Sequence, residues 1–417
     1  MLTSYICALD IGSSKIAAVV VKTKGKRFMD IYFESLPSRG IQRGVVVDSI
    51  ELISCVGKTL KNLKAKSGIN IKYIYANISG QDITTKHSHA IIPLAERGNK
   101  VVGISDIQKV NEQARVLGSN LEEEIIHQIP YGYSIDSRSG VNNPLGLYSH
   151  RLESDLYLVC GKLSSIQSLA RVVSQAGFEI KRLFFSGLAT SKAVFNQGVK
   201  EGLDILCDIG SDVTEILIFQ DGMLKDIEIL EIGGDDLTRE LEAQLKIAYD
   251  LAEDVKRSYG AVGNLGQIAD EKEILIKREN AYKPIKHKLV AEIINSKTKF
   301  ICRKIKEAVD KKADLNLADN FVAVGKTVLL EGFLETLENT LGSPVKLGRL
   351  NDSRISSLAH KEEALSGHKY LTYLTCLGMV SQAAEREEAA LLPANLPNRN
   401  FFSNALQRFK EVYQEYF

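Results

Sequence analysis

Neither sign of charge dominates this chain: 53 basic residues face 52 acidic ones, a formal net charge of +1 over 417 residues. That balance provides no bulk attraction toward nucleic acid, and no nucleic-acid partner is expected. Paired cysteines are missing as well. The six, Cys7, Cys55, Cys160, Cys207, Cys302 and Cys376, are scattered without any CxxC spacing, and several lie inside apolar runs. They read as buried thiols in a reducing compartment, not as a disulfide framework. Histidines are too dispersed for a structural metal site; His87 and His89 alternate on an expected strand and the other five are isolated. No apolar run is long enough to cross a bilayer, and the N-terminus lacks the basic segment and apolar core of a secretory signal. A cytoplasmic location is therefore expected. What is present, 44% hydrophobic and 25% charged residues, suits an ordinary globular protein with core enough for two or more domains.

Two stretches carry the chemistry. CALDIGSSK (residues 7–15) and LCDIGSDVTEI (206–216) each run from an apolar strand into an acid, Asp10 or Asp208, then an Ile-Gly pair, a short polar loop and a second apolar strand. Gly12 and Gly210 let the backbone approach a ligand closely, and successive turn N–H groups can form an anion nest, so each hairpin is a candidate phosphate loop. The carboxylate at the strand end suits magnesium, directly or through its waters. One such hairpin is weak evidence, since Asp and Gly are ordinary turn residues. Two, each ending a buried strand, are much stronger.

The rest of the chain frames them. Residues 30–35 read as a third strand, 49–64 as a helix with Leu52, Ile53, Val56, Leu60 and Leu63 on one face, and 72–79 as a strand. From about Thr85 the pattern changes to a compact inserted block, with a helix over 105–117 whose capping box pairs Ser105 with Gln108, and extended segments around 124–135 and 151–159. A helix over 164–176 and a strand over 179–185 follow. After the second hairpin, a strand over 224–232 ends at Gly233-Gly234 ahead of a helix; an anion or ribose contact fits there, and so does a plain strand-to-helix turn. Glu253 and Lys256 share one helix face, where residue types alone favour an exposed ion pair. Charge thickens over 272–312, and 320–330 returns to an apolar strand. Residues 381–398 read as a linker. Beyond it Phe402, Leu406, Phe409, Tyr413 and Tyr416 recur at spacings of four, three, four and three, flanked by Phe401 and Phe417. This aromatic stripe lies in a membrane interface or docks on a partner or on its own domain, and the membrane is preferred.

With ALDIGSSK, the DIG loop at 208–216, the strand ending in Gly233-Gly234, the AEDVKRSYG helix and the terminal amphipathic segment, the chain resembles the FtsA family, actin-like bacterial proteins that tether filaments of the tubulin homologue FtsZ to the membrane. The most specific part is the inserted block. There ANISGQDITTKHSHAII, EEIIHQIPYGYSID and NPLGLYSHRLESDLYLVCG are similar to the small domain that replaces one actin subdomain in this family.

The resemblance implies an α/β, actin-like (ribonuclease H-like) two-lobed fold with an inserted small α+β domain. Lobe I is expected from residues 1–84 and 164–195, the inserted domain from 85–163, the lobe II core from 196–235 and 315–380, and an outer subdomain from 236–314. A linker over 381–398 and a membrane helix over 399–417 follow. It also implies ATP and magnesium in the cleft. Asp10, Gly12, Ser13, Ser14 and Lys15 match the first phosphate loop, Asp208, Gly210, Ser211 and Thr214 the second, and Asp10 and Asp208 the metal side. Gly233, Gly234, Glu253 and Lys256 match positions near the ribose and adenine. The implied partners are the FtsZ C-terminal tail, further copies of the chain in a protofilament, other division proteins, and lipid on the inner face of the cell membrane at the division site. Phe401, Phe402, Leu406, Phe409, Tyr413, Tyr416 and Phe417 would meet that lipid, and the lysine-rich stretch 272–312 is a candidate for the FtsZ-facing surface, although a solvated face explains it as well.

The chain departs from the family in two places. Its second loop usually reads close to DIGGGTTDI; here Ser211 and Asp212 replace two glycines and Val213 a threonine, and Asp212 beside a triphosphate is repulsive unless screened. The family's triple-glycine adenosine loop is matched to VLLEGFLETL, with Gly332 alone. Weak ATP binding and at most weak ATPase activity are expected, with the adaptor role kept and no catalytic residue assigned. Two rivals stay open. One is an actin-like cytoplasmic adaptor of type IV pilus machinery; the other is an actin-fold ATPase or kinase, for which the sequence shows neither a dedicated base nor a further substrate domain.

Overall fold

The computed structural model describes residues 3–25, 27–95, 98–195, 201–263, 273–278, 281–358 and 362–391. The expected membrane stripe from Phe401 to Phe417 lies outside them.

The chain opens on three long antiparallel strands, β1 (Thr3–Ile11), β2 (Lys15–Lys24) and β3 (Arg27–Pro37). Unbroken apolar runs, such as residues 16–21, make β1 and β2 buried on both faces. A small hairpin of β4 (Ile41–Gln42) and β5 (Val45–Val46) leads into α1 (Ser49–Ser67), and β6 (Tyr73–Ile78) returns parallel to β1. Asp48 caps α1 by accepting the Glu51 N–H, and Gly68 ends it in the left-handed region.

The inserted block follows as β7 (Ile83–Pro93), β8 (Lys100–Val101), α2 (Ile104–Leu117), β9 (Glu123–Ile135), β10 (Arg138–Val141), β11 (Tyr148–Ser149) and β12 (Arg151–Lys162). Its sheet has the order β10-β9-β12-β7, and α2 covers one face with Ile107, Val110 and Ala114 packed among Leu152, Leu156 and Leu158. The cap of α2 differs from the expected Ser105 and Gln108 pair. Gly103 is the cap and Asp106, three residues on, accepts its N–H at 2.9 Å while also pairing with Lys100.

The chain then re-enters the first lobe through α3 (Leu163–Gln175), β13 (Glu179–Phe185) and α4 (Ser186–Val194). The second lobe contains β14 (Leu203–Ile209), β15 (Thr214–Gln220), β16 (Met223–Leu230), α5 (Gly234–Leu245), α6 (Tyr249–Tyr259), β17 (Glu273–Arg278), β18 (Ala281–Lys286) and α7 (His287–Asp310). It continues with β19 (Ala318–Val324), α8 (Phe333–Leu341) and β20 (Val345–Leu347), after which the chain returns to the first lobe through α9 (Ser353–Ser356) and α10 (Leu374–Leu391). The two five-stranded sheets share one plan: β3-β2-β1-β6-β13 in the first lobe and β16-β15-β14-β19-β20 in the second, each with three antiparallel strands followed by two parallel ones. This is the actin-like architecture. Both acid-glycine hairpins, β1 to β2 and β14 to β15, therefore occupy the same position in their sheets.

Three expected boundaries differ. The apolar strand over 320–330 ends at Val324, because Gly325 turns the chain at φ +94° and residues 326–329 form a short 3-10 turn. The linker expected from residue 381 is helical through Leu391; Ser381, Ala383 and Ala384 are buried, and Glu385 pairs with Lys192 at 2.8 Å. The last part of the 315–380 segment does not pack in the second lobe. Cys376, Leu377, Met379 and Val380 of α10 are buried among Ile6, Ala8, Ala17 and Val19 of the first. Among the described residues no helix is long and apolar enough to cross a membrane.

Candidate functional site

The two hairpin turns face a shared cavity of about 530 Å³ lined by both lobes. Each turn closes in the same way: Gly12 N–H donates to the Lys15 carbonyl and Gly210 N–H to the Val213 carbonyl, both at 3.0 Å. A Cβ at Gly210 would lie 2.8 Å from the Val213 oxygen, so the tight turn needs glycine there.

The acids at the strand ends sit in different electrostatic surroundings. Asp10 accepts from Lys15 Nζ and from Asn77 Nδ2, each at 2.7 Å, and Asn77 in turn takes the Ile11 N–H and donates to the Ser186 hydroxyl. Burial works to lower the Lys15 pKa, but the charge and hydrogen bond of Asp10 hold it above its ordinary value. Asp208 accepts from the Thr190 hydroxyl, at 3.1 Å, its one side-chain hydrogen bond among the described residues. Burial, with the like charge of Asp10, outweighs Thr190 and Lys15 and pushes its carboxyl up to about 6. Behind it Glu215, fully enclosed and hydrogen-bonded by the Ser79 hydroxyl, is pushed up to about 8 by burial and then by Asp208. The cleft thus concentrates acidic groups that are under-neutralised, which fits a cation.

Of the residues expected at the site, Asp10, Gly12, Ser13, Ser14, Lys15, Asp208, Gly210, Ser211, Gly234, Glu253 and Lys256 line the cavity. Four expected placements differ in the structure. Thr214 points away, fully buried, and its hydroxyl donates to the Ile232 carbonyl at 2.8 Å. Gly233 lies behind the second loop, where a Cβ would sit 2.4 Å from the Ser211 oxygen; it is Gly234 whose N–H reaches the Gly210 carbonyl, at 3.0 Å. Glu253 and Lys256 are not an exposed pair. Lys256 Nζ donates to the Gly234 carbonyl (3.0 Å) and Thr238 Oγ1 (2.7 Å) and pairs with Glu253 (2.6 Å), clamping α6 to the start of α5. Gly332 does not line the cavity; it begins α8 at φ +75°, close against the Val262 carbonyl.

The loop that does line the cavity after β19 is Gly325-Lys326-Thr327, joined by Leu329 and Leu330. Reading 320–330 as one strand ran past it. The signal was the Gly-Lys-Thr trio directly behind an apolar run. Asn77, Ser79, Ser186, Glu215, Arg257 and Thr375 also line the cavity and were not foreseen; Asn77, Ser186, Glu215 and Thr375 sit on strands and helices, Arg257 on the exposed side of α6 and Ser79 just past β6. Asp212 also lines the cavity, and its carboxylate accepts the Arg43 backbone N–H from the opposite lobe at 2.9 Å, while Arg43 pairs with Glu231.

Among the described residues no cluster of three or more metal-ligating side chains occurs. Two carboxylates beside a cavity of this size match magnesium, which takes few protein ligands and completes its shell with water and ligand phosphates.

Comparison with known proteins places this geometry. Residues 205–374 match the family model described as cell division protein FtsA, and residues 80–160 match the one described as the SHS2 domain inserted in FtsA. Together the two cover more than half of the chain. A cell division protein FtsA from Streptococcus pneumoniae is 25% identical over 384 residues, 92% of this chain and 84% of that protein. Among solved structures, a PilM-PilN type IV pilus biogenesis complex superposes with a TM-score of 0.63 at 13% identity, over 91% of this chain and 98% of the other. MreB5 of Spiroplasma citri bound to AMPPNP gives 0.53 at 11% identity, over 94% and 100%. These structures share the actin-like fold. The inserted SHS2-type domain and the sequence matches over most of the length go further: the chain belongs to the FtsA family of actin-like cell division proteins.

Proposed function

We propose that this protein is an ATP- and magnesium-binding membrane adaptor of the division apparatus. In this reading it tethers FtsZ filaments, through their C-terminal tails, to the inner face of the cytoplasmic membrane, assembles into actin-like protofilaments and recruits later division proteins. The observation that supports it most is the convergence of two like hairpins, with Asp10, Lys15 and Asp208, on one cavity between the lobes. The turns at Gly12 and Gly210 would cradle phosphates, and Asp10 and Asp208 would face magnesium, which when bound neutralises phosphate charge. Asn77 and Lys15 hold the Asp10 carboxylate, and Thr190 orients Asp208. Lys256 and Glu253 brace the start of α5 on the sugar and base side. The like-folded MreB5 was solved with AMPPNP bound, in keeping with a nucleotide in such a cleft. No residue is assigned to hydrolysis, and any ATPase activity is weak. Lipid attachment is assigned to the stripe Phe401, Phe402, Leu406, Phe409, Tyr413, Tyr416 and Phe417.

The test has two arms. A fluorescent ATP analogue with magnesium should bind the wild type and be lost in Asp208→Ala; absence of binding in both removes nucleotide from the proposal. Sedimentation with anionic liposomes should require residues 399–417; equal sedimentation of the truncated protein removes the lipid anchor.

A further inference from the structure

Four cations line the cavity: Lys15, Lys256, Arg257 and Lys326. Three are matched by acids, Lys15 by Asp10 at 2.7 Å, Lys256 by Glu253 at 2.6 Å and Arg257 by the same Glu253 at 2.7 Å. Lys326 has no ion-pair or hydrogen-bond partner for its side chain among the described residues. It stands where the loop's surroundings are fixed on both sides. Gly325, at φ +94°, presses so closely on the end of β14 that a Cβ there would lie 2.2 Å from the Ile209 oxygen and 3.1 Å from Asp208 Oδ1. On the other side Thr327 Oγ1 donates to the Gly210 carbonyl at 2.8 Å, and it would touch any Cβ placed on Gly234. The backbone carrying Lys326 is therefore pinned to the second phosphate loop at two points. Its side chain is open to water from the cavity yet surrounded by the cleft walls, and that surrounding protein, followed by the charges of Lys15 and Arg257, lowers its pKa. An unmatched ammonium repelled by two neighbouring cations is stabilised most by an anion placed among them.

We propose that Lys326 is a phosphate-binding residue of this cleft, contacting the phosphate chain of the nucleotide from the loop after β19. The inference rests on the nucleotide reading above and deepens it, because a lysine point charge takes over a task that a glycine loop performs with backbone alone.

The test is calorimetric titration of wild type, Lys326→Met and Lys326→Arg with magnesium-ATP, with adenosine and with magnesium-tripolyphosphate, alongside thermal unfolding of each protein. Lys326→Met should bind ATP and tripolyphosphate about tenfold or more weakly, bind adenosine as the wild type does, and unfold at the same temperature or higher. Lys326→Arg should keep most of the phosphate affinity. Unchanged ATP binding by Lys326→Met in a protein whose wild type binds ATP overturns the inference alone, as does an equal loss of ATP and adenosine. Wild type that binds neither ATP nor tripolyphosphate overturns this inference together with the nucleotide reading. Wild type that binds tripolyphosphate but not ATP, with the Met variant losing it, keeps Lys326 as an anion site and removes the nucleotide. If Lys326→Met does not fold, Lys326→Gln takes its place with the same expectations.

Discussion

The Asp212 carboxylate accepts the backbone N–H of Arg43 at 2.9 Å, and the two residues belong to opposite lobes. Arg43 is held for that contact. It adopts φ +46°, and the next residue, Gly44, packs so closely on the end of β6 that a Cβ would meet the Ser79 oxygen at 2.0 Å. The Arg43 guanidinium adds an ion pair with Glu231 at 2.9 Å. The second loop thus uses its non-glycine residue to bridge the mouth of the cleft. Asp212→Gly should remove the backbone half of the bridge and leave the Arg43–Glu231 pair alone across the mouth. Because the contact is exposed, stability should change by less than about 1 kcal/mol, while on the proposed nucleotide reading the association and dissociation of nucleotide should both accelerate several-fold in stopped-flow. Unchanged rates would show that the bridge does not limit opening.

Glu215 makes the free protein sensitive to pH. Its folded pKa is raised from 4.5 to about 8, first by burial and then by Asp208. Between those values the folded state holds a proton that the unfolded state has released, so stability declines as pH rises from about 4.5 to about 8, by up to about 1.4 kcal/mol per unit. Glu215→Gln keeps a neutral partner for the Ser79 hydroxyl and should flatten that slope. Urea unfolding of both proteins at pH 5, 6, 7 and 8 checks this; parallel curves would mean that Glu215 is ionised in the fold throughout.

Gly378 lets helix α10 lie close against α4. A Cβ on Gly378 would lie 1.7 Å from the Ala189 carbonyl oxygen, a backbone atom with nowhere to go. Gly378→Ala should therefore cost about 3 kcal/mol or more, or prevent folding, although alanine favours a helix. Thr190, next to Ala189, holds Asp208 and touches Thr375 of α10. On the proposed nucleotide reading, a folded Gly378→Ala protein should thus also bind nucleotide less tightly. Full stability in this variant would contradict the close approach.

The hairpins and sheets were legible because buried strands leave unbroken apolar runs, and Asp10 and Asp208 interrupt those runs at their ends. The inserted block was legible through its likeness to one family. The loop at Gly325 was not: Val322, Ala323, Val324, Val328, Leu329 and Leu330 bracket Gly-Lys-Thr with apolar residues on both sides, and only three dimensions show that the first trio belongs to β19 and the rest to a turn. The acidic stretch after Ser381 misled for a related reason. Glu385 is matched by Lys192, a residue nearly two hundred positions away that no local pattern can reveal. Thr190, Asn77 and Glu215 are ordinary strand and helix residues until the lobes close around them.

Lys256 supplies the last expected outcome. It joins the Gly234 carbonyl, Thr238 and Glu253, and although burial pushes the Glu253 pKa up, hydrogen bonds and charge from Lys256, with help from Thr238 and Arg257, hold it below 4.5. A carboxylate with a lowered folded pKa adds stability that is present above its unfolded value and disappears as pH falls through the folded one. Lys256→Met takes one donor from the Gly234 oxygen and leaves Glu253 without its main partner, so it should cost about 1–3 kcal/mol at pH 7. Below pH 4.5 Glu253 takes up a proton in the variant before it does in the wild type, and the difference between the two proteins should shrink. Chemical unfolding at pH 7 and pH 4 measures both values. A difference that stays constant with pH would place the cost in lost packing of the lysine stem, and Arg257 alone would then suffice to keep Glu253 ionised.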